Sequence, residues 1–232
     1  MISVDLHLHT CHSYDCGTPL QEVVRSCRRS GLDCVAVTDH NTIAGALRLR
    51  ESSDLRVIVG EEISTSDGEL LGLFLTKPVP RGLSALETIG LVKAQGGLAC
   101  IPHPLGRKPF SPRNYMGGTQ DGRYVPSPRV TRANRLLTED VLAQVDLIEV
   151  INSRTPFAQT WTAVSQLAAL SGLPSVAGSD AHTSGEIGCA RMEMADFTDA
   201  KSFVASVRDA RLSGVRSSVF VHFASMYAKL RG

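Results

Sequence analysis

Two short stretches hold side chains whose type and spacing could bind a cation. In DLHLHT, residues 5 to 10, His7 and His9 alternate with Leu6 and Leu8, and Asp5 stands two places before His7. Residues 2 to 8 otherwise read as a buried strand, and side chains two apart on a strand share a face. Asp5, His7 and His9 are therefore expected on one side, with Leu6 and Leu8 on the other. Imidazole nitrogens at this spacing can reach one metal ion. A lone pair of this kind is more often a hydrogen-bonded or surface pair than a metal site, so the pair by itself decides nothing. SDAH, residues 179 to 182, repeats the same spacing with Asp180 and His182, so both can face one cavity.

The elements that must position these groups alternate. A strand at the N-terminus is followed by a helix over residues 19 to 29, with Pro19 in its first turn and Gly31 as its stop. DCVAVTDH reads as strand, NTIAGALRLRE as helix, RVIVGEEIS and LLGLFLT as strands, SALETIGLVKAQGG as helix and LACIPHP as strand. DLIEVIN is a further strand, TPFAQTWTAVSQLAALSG a helix ending at Gly172, PSVAGSDAH a strand and DAKSFVASVRDA a helix. Such alternation implies a parallel β/α architecture. His7 and His9, Asp39 and His40, Glu61 and Glu62, His103, Asn152, and Asp180 and His182 each fall at or just past the end of a strand. In a parallel β/α barrel those ends converge on one face, where active sites are built. An open sheet carrying the same residues in surface loops is the alternative.

Composition narrows the field. The chain has 232 residues, 43% hydrophobic and 20% charged, which fits one domain with a substantial core. A net charge of +1 argues against wholesale binding of nucleic acid or membrane surfaces. No basic leader followed by an apolar run opens the chain, and no segment approaches the roughly 20 apolar residues of a membrane span. The six cysteines form no CxxC pair, so reduced thiols in a cytoplasmic protein are expected and a zinc ribbon is excluded.

DLHLHT, SYD, TDHNT, GEEIS, IPHP and GSDAH, in that order, resemble the motifs of the PHP (polymerase and histidinol phosphatase) family of metal-dependent phosphoesterases. The likeness runs from Met1 to about residue 190. It implies an α/β fold, a distorted seven-stranded (β/α)7 TIM-like barrel, with two or three divalent ions (zinc, manganese or iron) at the C-terminal face of the strands. Carried over by motif, it makes His7, His9 and Asp180 ligands of one site, with Glu62 bridging two ions. Asp15, His40 and His182 fall to another site and His103 to the remaining one. Strand alternation lets only one of Glu61 and Glu62 point inward, and the resemblance selects Glu62. Asp5 is expected to hydrogen-bond a ligating imidazole. Asp39 points away from the cluster, with a structural hydrogen bond or a catalytic role both open. His12 and His222 match no ligand position.

The chain departs from the fullest members, which carry a further histidine after the strand read here as DLIEVIN. No histidine occurs between His103 and His182, which implies two tight ions and a weaker third. Between His103 and Glu139 lie six arginines and one lysine against Asp121 alone. This Pro-, Gly- and Ser-rich run, about residues 104 to 138, is expected to be a lid within a single catalytic domain over residues 1 to 232. Arginine forks suit phosphate oxygens, so Arg107, Lys108 and Arg154 are expected to bind substrate phosphate. The expected reaction is hydrolysis of a phosphate ester of a small metabolite or nucleotide, by attack of a metal-bridged hydroxide with His182 protonating the leaving group. The alternatives are an exonuclease on short single-stranded nucleic acid and a non-catalytic metal-binding module. Oligomeric state is not legible.

Overall fold

A computed structural model describes residues 1–106, 118–120, 123–125, 131 and 134–217. One sheet of nine strands organises the chain. Strands β1 (Ile2–Leu8), β2 (Cys34–Val37) and β3 (Arg56–Ser64) run parallel, and β4 (Glu69–Leu73) turns back antiparallel to β3. β5 (Leu98–Ile101) is antiparallel to β4, and β8 (Leu147–Asn152) and β9 (Ser175–Gly178) follow parallel to it. The two short strands β6 (Gly118–Gln120) and β7 (Arg123–Val125) form a separate hairpin within the basic stretch. Beyond β9 the chain returns to β1, where the Asp180 amide donates to the His7 carbonyl (2.7 Å) and the His9 amide to the Ala181 carbonyl (2.9 Å). The sheet is thereby nearly closed. On the other side of β1, antiparallel β10 (Ala190–Met194) and then β11 (Arg211–Gly214) extend it.

Among the described residues, six helices connect or cover these strands: α1 (Leu20–Arg29), α2 (Ala44–Ser52), α3 (Ala85–Lys93), α4 (Glu139–Leu142), α5 (Ala158–Ser171) and α6 (Ala200–Val207). Local chemistry sets their ends. Ser84 and Glu87 form a capping box at α3, Asp199 and Ser202 one at α6, and Gly172 closes α5 at φ 68, a conformation that favours glycine. None of the described helices is long and apolar enough to cross a membrane. All six cysteines are unpaired.

Two apolar layers flank the sheet. Inside the barrel, Val4, Leu6, Ala36, Ile58, Leu71 and Cys100 form the floor. Outside, Leu8, Val35, Val59, Ile63 and Ile101 pack against the helices. Val4 and Leu6 thus face inward while Leu8 faces outward, because the pairing of β1 with β2 shifts register between Asp5 and Leu8. One extra residue in a strand reverses the facing of everything beyond it. The expected alternation, with Asp5 on the histidine face, is corrected accordingly. The expected ring of seven β/α units is also coarser than the sheet. The 3–4 and 4–5 pairs are antiparallel, and β10 and β11, which the sequence reading omitted, add two strands beside β1.

Candidate metal centre

The eight residues predicted as metal ligands gather where the parallel strands end, above the apolar floor. His7 lies near the end of β1 and His9 just past it, Asp15 in the following turn, and His40 after β2. Glu62 is on β3, His103 follows β5, and Asp180 and His182 follow β9. The structure brings these eight predicted residues into adjoining groups whose donor atoms lie within 4.8 Å of one another: His7, His9 and Asp180; His9, Asp15, His40 and His182; and His7, Glu62 and His103. A fourth group is His40, Glu62 and Glu69.

The tightest set is built by His7 Nε2, His9 Nε2, Glu62 Oε2 and Asp180 Oδ1. His7 Nε2 lies 3.2 Å from His9 Nε2, 3.4 Å from Glu62 and 3.7 Å from Asp180, and His9 Nε2 lies 3.2 Å from Glu62 and 3.5 Å from Asp180. For a four-coordinate ion with bonds of about 2.1 Å, ligand atoms stand about 3.4 Å apart. Beside it, Asp15 Oδ2 is 3.2 Å from His182 Nε2 and 3.4 Å from His40 Nε2. Glu62 uses both oxygens, Oε2 toward His7, His9 and His40, and Oε1 toward His103 Nε2 at 3.0 Å.

The outer nitrogens of the imidazoles fix which lone pairs point inward. Glu149 Oε1 sits 3.1 Å from His7 Nδ1, so that nitrogen carries the proton and Nε2 offers a lone pair. Ser13 Oγ donates to Asp15 Oδ1 (3.0 Å), receives the His40 amide (3.2 Å) and lies 3.3 Å from His9 Nδ1, which sets the same tautomer at His9. His182 Nδ1 is directed at the Asp180 carbonyl (2.9 Å). Two residues of the set have left-handed backbone, His103 at φ 26 and Asp180 at φ 53. Each is held there by a hydrogen bond from its own amide, that of His103 to Glu149 Oε2 (2.7 Å) and that of Asp180 to the His7 carbonyl.

Charge in the cluster calls for cations. Burial opposes protonation of His7, yet Glu149, Asp180 and Glu62 raise its pKa well above the ordinary value. His9 and His103 are likewise raised to about 9 against burial, His9 mainly by bonds to Asp180 and Glu62 and His103 by Glu62. Asp15 and Asp180 are held well below the carboxylate range, despite burial, by the histidines around them. Inward lone pairs, near-tetrahedral spacing and excess carboxylate together fit divalent ions.

Comparison with known proteins gives the cluster a family. The uncharacterized protein MJ1587 of Methanocaldococcus jannaschii is 39% identical over 116 residues, covering 44% of this chain and 68% of the relative. A family model described as PHP-associated matches residues 163–212, the segment that contains Asp180 and His182. A two-domain protein from Bacteroides vulgatus, containing a predicted PHP-like metal-dependent phosphoesterase, superposes with a TM-score of 0.67 at 18% identity, over 92% of this chain and 65% of that one. The chain belongs to the PHP family. PsfC of Pseudomonas syringae shares the same fold end to end, with a TM-score of 0.62 at 17% identity over 100% of this chain and 99% of that one.

Within this PHP centre three carboxylates escaped sequence reasoning. Glu149 orients His7 and His103, the task expected of Asp5. Asp5 instead accepts the amides of His7 (3.3 Å), Ser179 (2.9 Å) and Gly188 (2.9 Å), and burial pushes its pKa up to about 6. Glu69 opens β4 on the same face as Glu62, 3.9 Å from both His40 Nδ1 and His103 Nε2. The charge of Glu62, then burial, raises its pKa. Glu186 Oε2 accepts the amides of His182 (3.1 Å) and Thr183 (3.0 Å), and its Oε1 lies 3.0 Å from Arg154 Nε in a buried ion pair. Asn152 donates to Glu149 (2.9 Å) and Asp180 (3.3 Å), so its amide steadies these two carboxylates. Asp39 is structural, holding the Thr10 amide (2.6 Å) and hydroxyl (2.7 Å). Glu61 faces outward, accepting the Val79 amide (2.8 Å), and burial lifts its pKa to about 7. Arg107 and Lys108 lie outside the described residues, as does most of the expected lid.

Proposed function

We propose that this PHP protein is a metal-dependent phosphoric ester hydrolase acting on a small metabolite or nucleotide. The observation that carries the reading is the spacing of His7, His9, Glu62 and Asp180, five donor separations between 3.2 and 3.7 Å. These four would hold one ion. His40, Asp15 and His182 would hold a second, and Glu62 with His103 and Glu69 a weaker third, all at the C-terminal face of the strands. Zinc, manganese and iron suit the donors. Bound ions would supply Lewis-acid charge that activates water and stabilises a phosphoryl group.

The chain's own residues do the rest. Glu149, Ser13 and the Asp180 carbonyl present the imidazole lone pairs. Both ring nitrogens of His182 are engaged, at Asp180 and Asp15, which favours a ligand role over delivery of a proton. Arg154 is anchored on Glu186 behind His182, and Arg107 and Lys108 are proposed to meet substrate phosphate from the basic segment. The test is a panel of phosphomonoesters and short oligonucleotides assayed with and without divalent ions. Turnover of a phosphomonoester that needs added metal and stops with chelator is expected. A metal-replete protein that hydrolyses nothing in the panel would refute the reading, and preference for oligonucleotides would make it a nuclease.

A further inference from the structure

Tyr14 is an exposed aromatic beside the proposed metal ligands. It immediately precedes Asp15, 58% of it is exposed, and its ring stacks on the ring of His40 with centroids 4.9 Å apart and planes inclined by 29°. The loop that carries it is firmly tied. The Cys11 amide donates to the Thr18 carbonyl (2.9 Å), the Ser13 amide to the Thr10 carbonyl (2.9 Å), and the Cys16 thiol lies against the carbonyls of His9 (3.4 Å) and His182 (3.1 Å). A ring on a rigid loop is a pre-organised surface.

Shielding His40 does not need an aromatic, since any apolar side chain would cover it. A tyrosine that covers a ligand and still exposes most of itself at the site's mouth offers a flat face to whatever enters. A planar heteroaromatic ring entering the site would stack on that face.

We propose that Tyr14 is a specificity-determining residue, stacking a heteroaromatic ring of the leaving group, as in a nucleoside. The inference rests on the phosphoesterase reading. Adenosine 5′-monophosphate and ribose 5-phosphate, the same phosphorylated sugar with and without the ring, are the probes. Their kcat/KM ratio is internal to each protein, so partial loss of metal cancels. The ratio should favour the nucleotide in the wild type, fall roughly tenfold in Tyr14→Leu, which keeps an apolar cover over His40, and survive in Tyr14→Phe. Binding of the corresponding phosphonates, which cannot turn over, should show the same split in Kd. A ratio unchanged in Tyr14→Leu, in kinetics and in binding, overturns the inference while leaving the hydrolase reading intact. Absent turnover with the binding split preserved would refute the hydrolase reading and leave Tyr14 as a recognition residue.

Discussion

Glu149 touches His7, His103 and Asn152, yet it stands apart from the three groupings proposed to hold the ions. One carboxylate orients His7 and ties down the backbone of His103 and the amide of Asn152. Replacing it with glutamine keeps the shape and removes the charge that makes His7 a strong donor. Metal affinity should fall about 10- to 100-fold, read by competition with a chromophoric chelator, with the fold retained. Unchanged affinity would show that His7 needs no such support. His9 sits in two of the donor groups, so His9→Ala should lower bound metal per chain and reduce turnover by several orders of magnitude; an active variant with full metal content would mean the ligand set is wrong. His7, His9, Asp180 and His182 were legible because histidine and aspartate at i, i+2 on an apolar strand are conspicuous. Glu69, Glu149 and Glu186 were not, since each is a lone carboxylate whose importance arises only when distant strands meet.

The strands deliver these residues through departures from regularity. In β1 the register shift lets Leu6 stay in the floor while His7 and His9 still face the cavity, and strict alternation cannot predict such a shift. Strand β9 ends on Gly178, where a Cβ would stand 2.4 Å from the Cβ of His7 and 2.6 Å from Glu149 Oε1. No side chain fits between those two groups. Gly178→Ala should therefore cost about 1 to 3 kcal/mol of stability in denaturant titration, and also weaken metal binding by separating Glu149 from His7. Loss of stability with metal affinity intact would mean that the strain is absorbed elsewhere. Most helices and parallel strands could be read from periodicity and stop signals, Gly172 among them. The strands ARMEM and RLSG could not, because they are short, partly exposed and too polar to stand out from loop.

At the scale of the whole molecule, a net charge of +1 conceals a centre crowded with carboxylates, and its need for positive charge couples metal, protons and stability. Without metal that charge comes from protons. The folded-state pKa values of His9 and His103, about 9, exceed the ordinary 6.5. Their contribution to stability is therefore fully present below about pH 6.5 and is lost as pH rises through about 9. With metal the sign reverses, because the imidazoles must shed those protons to bind, so affinity rises over the same interval. An ion at 100 times its Kd adds about 2.7 kcal/mol to the folded state, and this margin grows as Kd falls. Thermal unfolding with zinc or manganese and with chelator, compared at pH 6.5 and pH 8.5, should give two melting temperatures that draw apart as pH rises. A constant separation would mean that the histidines are already neutral in the metal-free protein, and that the carboxylates around them are balanced by charges other than their protons.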